Sequence, residues 1–193
     1  MGDAALKVDA IHRQVRKSTR DDWRTPPVIM SPILDRFRFT GDACASALNT
    51  WAPEFFTEED NALIKSWKQL GPVVWMNPPY SMANEFMRRA RLQAFEHGLT
   101  VCALLPSTMD VKWWHEDAIT HAAELWFYRG RISFLDPVEV KPVTGNPVGS
   151  VLVVFRGDER IPQARIGQLC SVTGRPFSRS DVRYWNEETG GRP

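Results

Sequence analysis

The sequence predicts an α/β fold, a doubly wound domain with a mostly parallel sheet, on the strength of three features. VVWM at residues 73–76 and LTVCALL at 99–105 are continuously apolar, as expected for strands buried on both faces. An amphipathic helical pattern at residues 81–98 separates them and makes a strand–helix–strand unit. Two more apolar runs follow at residues 124–134 and 149–155, and the last is expected to be a terminal antiparallel strand.

The elements before these strands are predicted from caps and turn residues. Pro27 begins a helix that runs to Phe37, because proline suits the first helical turn and apolar residues follow at helical spacing. FRFTGDACAS at residues 37–46 indicates a short strand that leads into a turn and a helix start. Thr57 is followed three residues later by an acid, a capping pattern that favours a helix as far as Leu70.

The predicted organisation is one folded domain between two polar segments. Residues 1–21 are a basic N-terminal arm, residues 22–156 form the α/β domain, and residues 157–193 are a polar, arginine-rich C-terminal tail that attaches loosely. A chain of 193 residues is long enough for one domain with its own core. The oligomeric state stays open.

Composition excludes several classes of protein. The apolar fraction of 43% and the charged fraction of 24% are ordinary for a soluble globular domain, and no apolar run has the length of a membrane span. The first residues lack an apolar signal segment. Three widely spaced cysteines and four scattered histidines form no ligand cluster. We therefore expect a cytoplasmic protein with no metal and no membrane partner.

The four residues Asn77, Pro78, Pro79 and Tyr80 stand where the strand at 73–76 leaves the sheet. In a Rossmann-like sheet this is the ligand-binding edge. The lone pair of an adenine amino group is delocalised, so acceptors at the Asn77 side chain and the Pro78 carbonyl would make the nitrogen more reactive and stabilise its developing charge. Pro79 stiffens the turn, and Tyr80 offers a face on which an extruded base can stack. The alternative is a turn that merely ends a strand. The apolar strand before it and the aromatic residue after it favour catalysis.

Six motifs follow one another between about Asp22 and Arg156. They are DDWRTPP (with Trp23, Thr25 and Pro26), GDACAS (with Asp42 and Ala45), FFTEEDNALIKSW, NPPYS, LLPSTMDVKWWH and FYRGRISF. In this order they resemble the phage-type DNA N6-adenine methyltransferase (Dam) family, and the order carries the resemblance because NPPY alone occurs in many methyltransferases. The resemblance implies methyl transfer to adenine N6 of double-stranded DNA, and a phage origin with action in the host cytoplasm.

It also implies S-adenosylmethionine as cofactor. Asp42 followed by small residues suits the cofactor's hydroxyl or ammonium groups and a close backbone approach, although an acid there would also cap a helix. Thr25 would reach the methionine end, or else occupy a turn. Asp60 and Asn61 stand in the family's acidic segment, where a solvated helix is the alternative. The predicted cofactor-binding residues are Trp23, Thr25, Pro26, Asp42, Ala43, Ala45, Asp60 and Asn61.

The net charge is only +1, but the basic residues are clustered. Clusters of this kind are either phosphate contacts or ordinary solvated surface. The predicted DNA-binding residues are Arg13, Arg16, Lys17, Arg88, Arg129 and Arg131.

Two other functions stay open at this point. The same motif would serve a methyltransferase of another planar amine, such as an RNA base or a protein glutamine. A nucleic-acid-binding module without activity would keep the fold but would not bind the cofactor.

Overall fold

A computed structural model of the chain describes residues 20–143, 145–157 and 164–187. Within these ranges seven strands form one sheet in the order β2-β1-β3-β4-β6-β5-β7. The strands are β1 Gly41–Asp42, β2 Glu54–Phe55, β3 Val73–Met76, β4 Thr100–Pro106, β5 Glu124–Arg129, β6 Ser150–Arg156 and β7 Arg165–Cys170. The helices are α1 Pro27–Phe37, α2 Ala83–His97, α3 Ile119–His121 and α4 Arg179–Glu187. A π-helical turn at Trp114–Ala118 and 3-10 turns at Arg20–Asp22, Trp67–Leu70 and Tyr80–Met82 complete the described elements.

The sheet is mostly parallel, which confirms the predicted fold class. β2, β1, β3 and β4 pair in parallel, and β6 lies antiparallel between β4 and β5. β5 and β7 pair in parallel, so β6 alone of the described strands runs the other way. The antiparallel strand therefore exists as expected, but it lies inside the sheet, because β5 pairs with its free side and β7 then pairs with β5.

Helices cover both faces of the sheet, as the term doubly wound requires. Val74 and Met76 of β3 join a core with α2 on one face. Trp75 of the same strand joins a second core with α1 and Trp185 of α4 on the other face. Burial on both sides explains why these strands are apolar throughout.

The predicted helix from Thr57 to Leu70 is wrong. Its cap forms, since the Thr57 backbone N–H donates to the Asp60 carboxylate over 2.9 Å. Asn61 then takes a left-handed conformation with φ 54°, which ends the helical turn. The chain continues through turns to the 3-10 helix, where fully buried Trp67 donates from its indole nitrogen to the Ala62 carbonyl over 2.8 Å. Residues 43–53 likewise contain turns and no helix.

The predicted C-terminal tail is also wrong for the part that the structure describes. Residues 164–187 contribute β7, which pairs with β5 along its whole length, and α4, whose Trp185 is buried. In β7 only Gly167 and Leu169 are buried, so its sequence lacks the continuous apolar run that identified the central strands. A glycine is needed at 167, because an added Cβ would lie 2.3 Å from the Trp126 ring.

A buried ion cluster joins helices α1 and α4 to the sheet. The Arg36 guanidinium of α1 lies 2.8 Å from the Glu124 carboxylate, and both side chains are almost fully buried. Glu124 also accepts from Arg156 of β6 over 2.9 Å and from the indole nitrogen of Trp126 over 2.7 Å. The Arg36 guanidinium lies over the ring of Trp185 at 4.4 Å, which brings α4 into the cluster.

This cluster predicts a large effect of Glu124→Gln on stability. The substitution leaves the buried Arg36 charge without its counterion, so the free energy of unfolding should fall by about 3–5 kcal/mol. Glu139→Gln removes the same group from an exposed ion pair with Lys141 and should cost less than about 1 kcal/mol. Denaturant titrations of both variants measure the difference. Equal losses would contradict a dominant role for the buried cluster.

Candidate active site

The crossover pattern of the sheet defines a crevice between β1 and β3. The chain leaves β1 toward β2 on one side, and it leaves β3 toward β4 on the other. Ligands bind at such a switch point, beyond the carboxyl ends of the strands. Asp42 ends β1 and pairs with Trp75, two residues before Asn77. Asp42 and Asn77, which the sequence analysis predicted as site residues, therefore lie at the carboxyl ends of neighbouring strands, on the same edge of the sheet.

The side-chain oxygen of Asn77 is a hydrogen-bond acceptor that no described residue donates to. Its Oδ1 atom is buried and has no hydrogen-bond partner among the described residues. A buried polar atom in this state costs about 1–3 kcal/mol. The turn behind it is held by the Met82 backbone N–H, which donates to the Pro79 carbonyl over 2.9 Å. The acceptor is thus kept in place by the fold at a cost in stability, which is typical of a site for a donor from outside.

A cleft with aromatic walls opens beside Asn77. It is a small cleft that is open to the solvent, and its lining residues are Asp21, Trp23, Asn77, Pro78, Tyr80 and Phe134. The Trp23 and Phe134 rings stack at a centroid distance of 6.1 Å. Tyr80 meets Phe134 edge-on at 6.2 Å. The cleft combines one hydrogen-bond acceptor with flat apolar walls, and this combination suits a planar ring that carries an amino group.

The Tyr80 hydroxyl does not point to the solvent. It is buried, and burial raises its pKa above the ordinary value against the smaller, opposing effect of the Ser150 hydroxyl. The two hydroxyls do not form a hydrogen bond of good geometry. The ring of Tyr80 therefore contributes its face to the cleft, while its hydroxyl has no role at the surface.

Residues 21–24, which we call the bridging segment, tie two loops together over the cleft. The Asp21 carboxylate accepts from the Ser81 backbone N–H over 3.1 Å and from the Ser81 hydroxyl over 2.7 Å. At the other end, Arg24 and Leu135 exchange two backbone hydrogen bonds of 2.9 Å each. Trp23 is held between these anchors. Sequence reasoning missed Asp21, Ser81 and Phe134 as site residues, because their contacts span long stretches of chain.

The Asp42 side chain is hydrogen-bonded within the loop that follows it. It is 1% exposed, and its carboxylate accepts from the backbone N–H groups of Cys44 and Trp51, each over 3.1 Å. Burial raises its pKa from the ordinary value near 3.8 to about 7, against the lowering effect of those two donors. No helix follows it, so the helix-cap alternative is wrong. Asp42 closes the loop that forms one wall of the switch point.

The other predicted cofactor residues on this side lie around the same point. Thr25 is buried and its hydroxyl oxygen has no hydrogen-bond partner among the described residues. The Pro26 carbonyl accepts from the first turn of α1. The Ala43 N–H donates to Trp75 and the Ala45 N–H donates to Phe56, so both small residues extend the ladder of β1.

The side chains of Asp60 and Asn61 contact only nearby residues of their own loop in the part of the chain that the structure describes. Asp60 accepts from Thr57 and pairs with Lys65 at 2.5 Å, and these partners lower its pKa to about 2. The Asn61 side chain accepts from the Leu63 backbone N–H over 3.2 Å. Neither residue lines the cleft.

The predicted DNA-binding residues are dispersed. Arg13, Arg16 and Lys17 lie outside the described residues. Arg88 is exposed in the middle of α2. Arg129 ends β5 with its guanidinium 3.8 Å from the centre of the Phe177 ring, and Arg131 donates to the Asn146 carbonyl over 2.8 Å.

The ranges that the structure describes contain neither a metal-binding cluster nor a membrane-spanning helix. No group of three or more His, Cys, Asp or Glu side chains there is arranged to hold a metal ion. None of the helices there has the length and apolar character needed to cross a membrane.

Comparison with known proteins identifies a family and two relatives. The family model described as DNA N-6-adenine-methyltransferase (Dam) matches residues 12–175, which extends into both segments predicted as arm and tail. A DNA N-6-adenine-methyltransferase of Escherichia phage T1 is 30% identical over an alignment of 154 positions, and the alignment covers 72% of this chain and 64% of the relative. One of Haemophilus phage HP1 (strain HP1c1) is 33% identical over 159 residues, 81% of this chain and 87% of the relative. The chain thus spans less than two thirds of the T1 protein.

Among solved structures, a modification subunit of a putative type I restriction enzyme from Vibrio vulnificus YJ016 superposes with a TM-score of 0.47 at 8% identity. The superposition covers 98% of this chain and 56% of that one, and a likeness this low supports no conclusion.

The Asp42 carboxyl predicts a pH dependence of stability. Its folded pKa of about 7 exceeds the ordinary value of 3.8, so between these values the folded protein keeps a proton that the unfolded chain has lost. The stability from this group is complete below about pH 4 and is lost as the pH rises toward 7. The unfolding free energy of the wild type relative to Asp42→Asn should therefore fall over that interval. Denaturant titrations across it measure the slope, and a constant difference would contradict the assignment.

Proposed function

We propose, from the premise that this chain belongs to the DNA N-6-adenine-methyltransferase (Dam) family, that it transfers the methyl group of S-adenosylmethionine to adenine N6 at defined sites in double-stranded DNA. The observation that carries the proposal is the buried, unpartnered Oδ1 of Asn77 in a cleft with aromatic walls. Both named relatives belong to phages, and action in a host cytoplasm stays a prediction.

Asn77 supplies the chemistry that an exocyclic amine needs. The amino lone pair of adenine is delocalised into the ring, so the nitrogen is a weak nucleophile. Asn77 Oδ1 accepts from this amino group, as does the Pro78 carbonyl, and the nitrogen becomes more tetrahedral. As the N6–CH3 bond forms and the sulfonium S–CH3 bond breaks to leave a neutral thioether, positive charge grows on N6, and these acceptors stabilise it without reorganising. N6 then loses one proton to water.

The aromatic walls suit a base that has left the duplex. Tyr80 and Trp23 present ring surface to the cleft, and buried Phe134 supports both of them. A base in this cleft replaces the stacking that it loses in DNA. Its amino edge then meets Asn77, which lines the same cleft.

The bridging segment positions the catalytic turn. The Asp21 carboxylate accepts from the backbone N–H and the hydroxyl of Ser81, the residue directly after Tyr80. The turn is therefore held by the bridging segment as well as by its own backbone hydrogen bond. A reacting group held in one geometry avoids an entropic cost in the transition state. Asp21 is therefore a positioning residue in this proposal.

The residues at the switch point fit the cofactor. S-adenosylmethionine supplies the methyl group as an electrophile on a positively charged sulfur. The unpartnered Thr25 hydroxyl is an orphaned polar group, and the Asp42 carboxylate keeps lone pairs beyond its two backbone donors. We assign the cofactor's hydroxyl and ammonium groups to these two acceptors, with Trp23, Pro26, Ala43 and Ala45 around them. For Asp60 and Asn61 a cofactor contact stays a prediction.

The experiment that tests the function identifies the product. The protein is incubated with plasmid DNA and S-adenosylmethionine labelled at its methyl group, and the DNA is digested to nucleosides. Label that co-migrates with N6-methyldeoxyadenosine supports the proposal. Label in RNA or protein substrates alone would point to another planar amine. An intact protein that does not bind the cofactor would point to a binding module without activity.

Asn77→Ala should separate chemistry from binding. The acceptor acts on charge that develops only in the transition state, so turnover should fall about a hundred- to a thousandfold. Cofactor affinity in calorimetry should change little. Asn84→Ala, at an exposed position of α2, is the matched control and should leave turnover unchanged. Wild-type turnover in Asn77→Ala would rule out this mechanism.

Tyr80 should matter through its ring alone. Tyr80→Phe removes a hydroxyl that contributes nothing to the cleft and should keep most of the activity. Tyr80→Ala loses a stacking surface worth about 1–3 kcal/mol. Part of that loss should return when the target adenine is mispaired, because extrusion then costs less. Single-turnover methylation of matched and mismatched duplexes measures both effects, and equal losses in the two variants would refute the stacking role.

A further inference from the structure

The loops beside the cleft come from the end of the sheet that was predicted to be a tail. β5 and β7 run in the same direction as β3, so their carboxyl ends lie at the cleft edge. The chain after β5 leads from Arg129 to Phe134, which lines the cleft. The chain after β7 forms residues 171–178 and leads into α4. These two loops make a surface continuous with the cleft wall.

This surface is strongly basic. RGRISF at residues 129–134 and SVTGRPFSRS at 171–180 contain four arginines and no acid. All four are exposed, and in the part of the chain that the structure describes none of them is ion-paired with a carboxylate. We call this surface the arginine ledge. Its residues are Arg129, Arg131, Arg175 and Arg179.

The backbone and two of the guanidinium groups of the ledge are held in place. Arg129 lies over Phe177, and Arg131 is bonded to the Asn146 carbonyl. The Cys170 N–H donates to the Arg175 carbonyl over 2.8 Å, which closes the turn after β7. Gly130 has φ 88°, and an added Cβ there would lie 2.6 Å from the Ser171 hydroxyl oxygen, so the two loops pack closely. Preorganised charges lose less conformational entropy when a ligand binds.

The opposite end of the same edge carries the opposite charge. The loop after β2 contains Glu58, Glu59 and Asp60. Of these acids, Asp60 is paired with Lys65. A polyanion that crosses the cleft is therefore repelled at the β2 end and attracted at the β7 end.

We propose that the arginine ledge binds the phosphate backbone of double-stranded DNA next to the cleft, which makes the β7–α4 segment a DNA-docking element. The proposal rests on the proposed function and names the surface by which the substrate is held. The planar guanidinium matches phosphate oxygens in two-point contacts. Phosphate contacts set the register of a protein on its duplex. The segment from Arg131 to Phe134 connects the ledge directly to the aromatic wall.

The test is DNA affinity as a function of salt, measured by fluorescence anisotropy with the full chain and a short duplex. Arg175→Gln/Arg179→Gln removes two phosphate contacts. The slope of log affinity against log salt should therefore become shallower by about 2, and affinity near physiological salt should fall at least about tenfold. Cofactor affinity and the unfolding midpoint should not change. Arg175→Lys/Arg179→Lys should restore most of the slope, because lysine also neutralises phosphate.

The matched control removes two charges from the other edge of the sheet. Arg38→Asn/Lys68→Gln changes exposed residues that precede β1 and β3, and asparagine suits the left-handed conformation of Arg38. This control should keep the wild-type slope. An equal loss in both double variants would overturn the proposal, as would tighter binding of duplex RNA than of DNA. A ledge variant that changes the oligomeric state but not DNA affinity would also overturn it, in favour of a second copy of the chain.

DNA binding does not require methylation, so a negative result in the DNA-affinity test and a negative result in the nucleoside test reject different proposals. Loss of salt-dependent DNA affinity in the ledge variant, without N6-methyldeoxyadenosine in the wild-type digest, would keep the ledge and reject the reaction. Methylated adenine with unchanged affinity and slope in the ledge variant would keep the reaction and reject the ledge.

Discussion

The parallel pairing of β1 with β3 is the constraint on which the site depends. It brings the carboxyl ends of two strands together although they are separated by a long loop and by β2. Asp42 and Asn77 become neighbours because of this pairing, and the loops that follow them form the walls of one crevice. Both faces of the sheet are covered by helices, so the edge is left for polar chemistry. The central strands therefore contribute few polar side chains to the crevice, and they determine where the loops that line it lie.

The bridging segment supplies the part of the cleft wall that the loops after the strands do not form. The sheet alone would present Asn77 and Tyr80 on an open edge. Asp21 and Arg24 attach the segment to loops that follow β3 and β5, and Trp23 closes the aromatic wall between them. The site is thus shared between a short stretch of strand ends and a stretch of chain that precedes the first helix. Its polar contacts are few, and each of them fixes a loop rather than a ligand.

Much of this arrangement follows from sequence where the signal is local. β3, α2 and β4 were predicted because apolar runs and a helical period persist over many residues. The helix predicted for residues 57–70 is wrong although the cap at Thr57 forms, because Asn61 adopts a left-handed conformation and interrupts the helix. A capping pattern in the sequence gives no information about the conformation of the residue after it. β7 was missed because it buries one face only. The NPPY turn is contiguous and could be identified, whereas Phe134 reaches the cleft through contacts that only the folded chain creates.

The bridging segment also has a consequence for the order of folding. Its contact with Ser81 spans 60 residues, and its pairing with Leu135 spans still more chain. Closing loops of this length costs entropy before any contact compensates it, and non-local pairings form slowly for that reason. We therefore expect the β3–α2–β4 unit, whose contacts are local, to form before the cleft around the NPPY turn is complete.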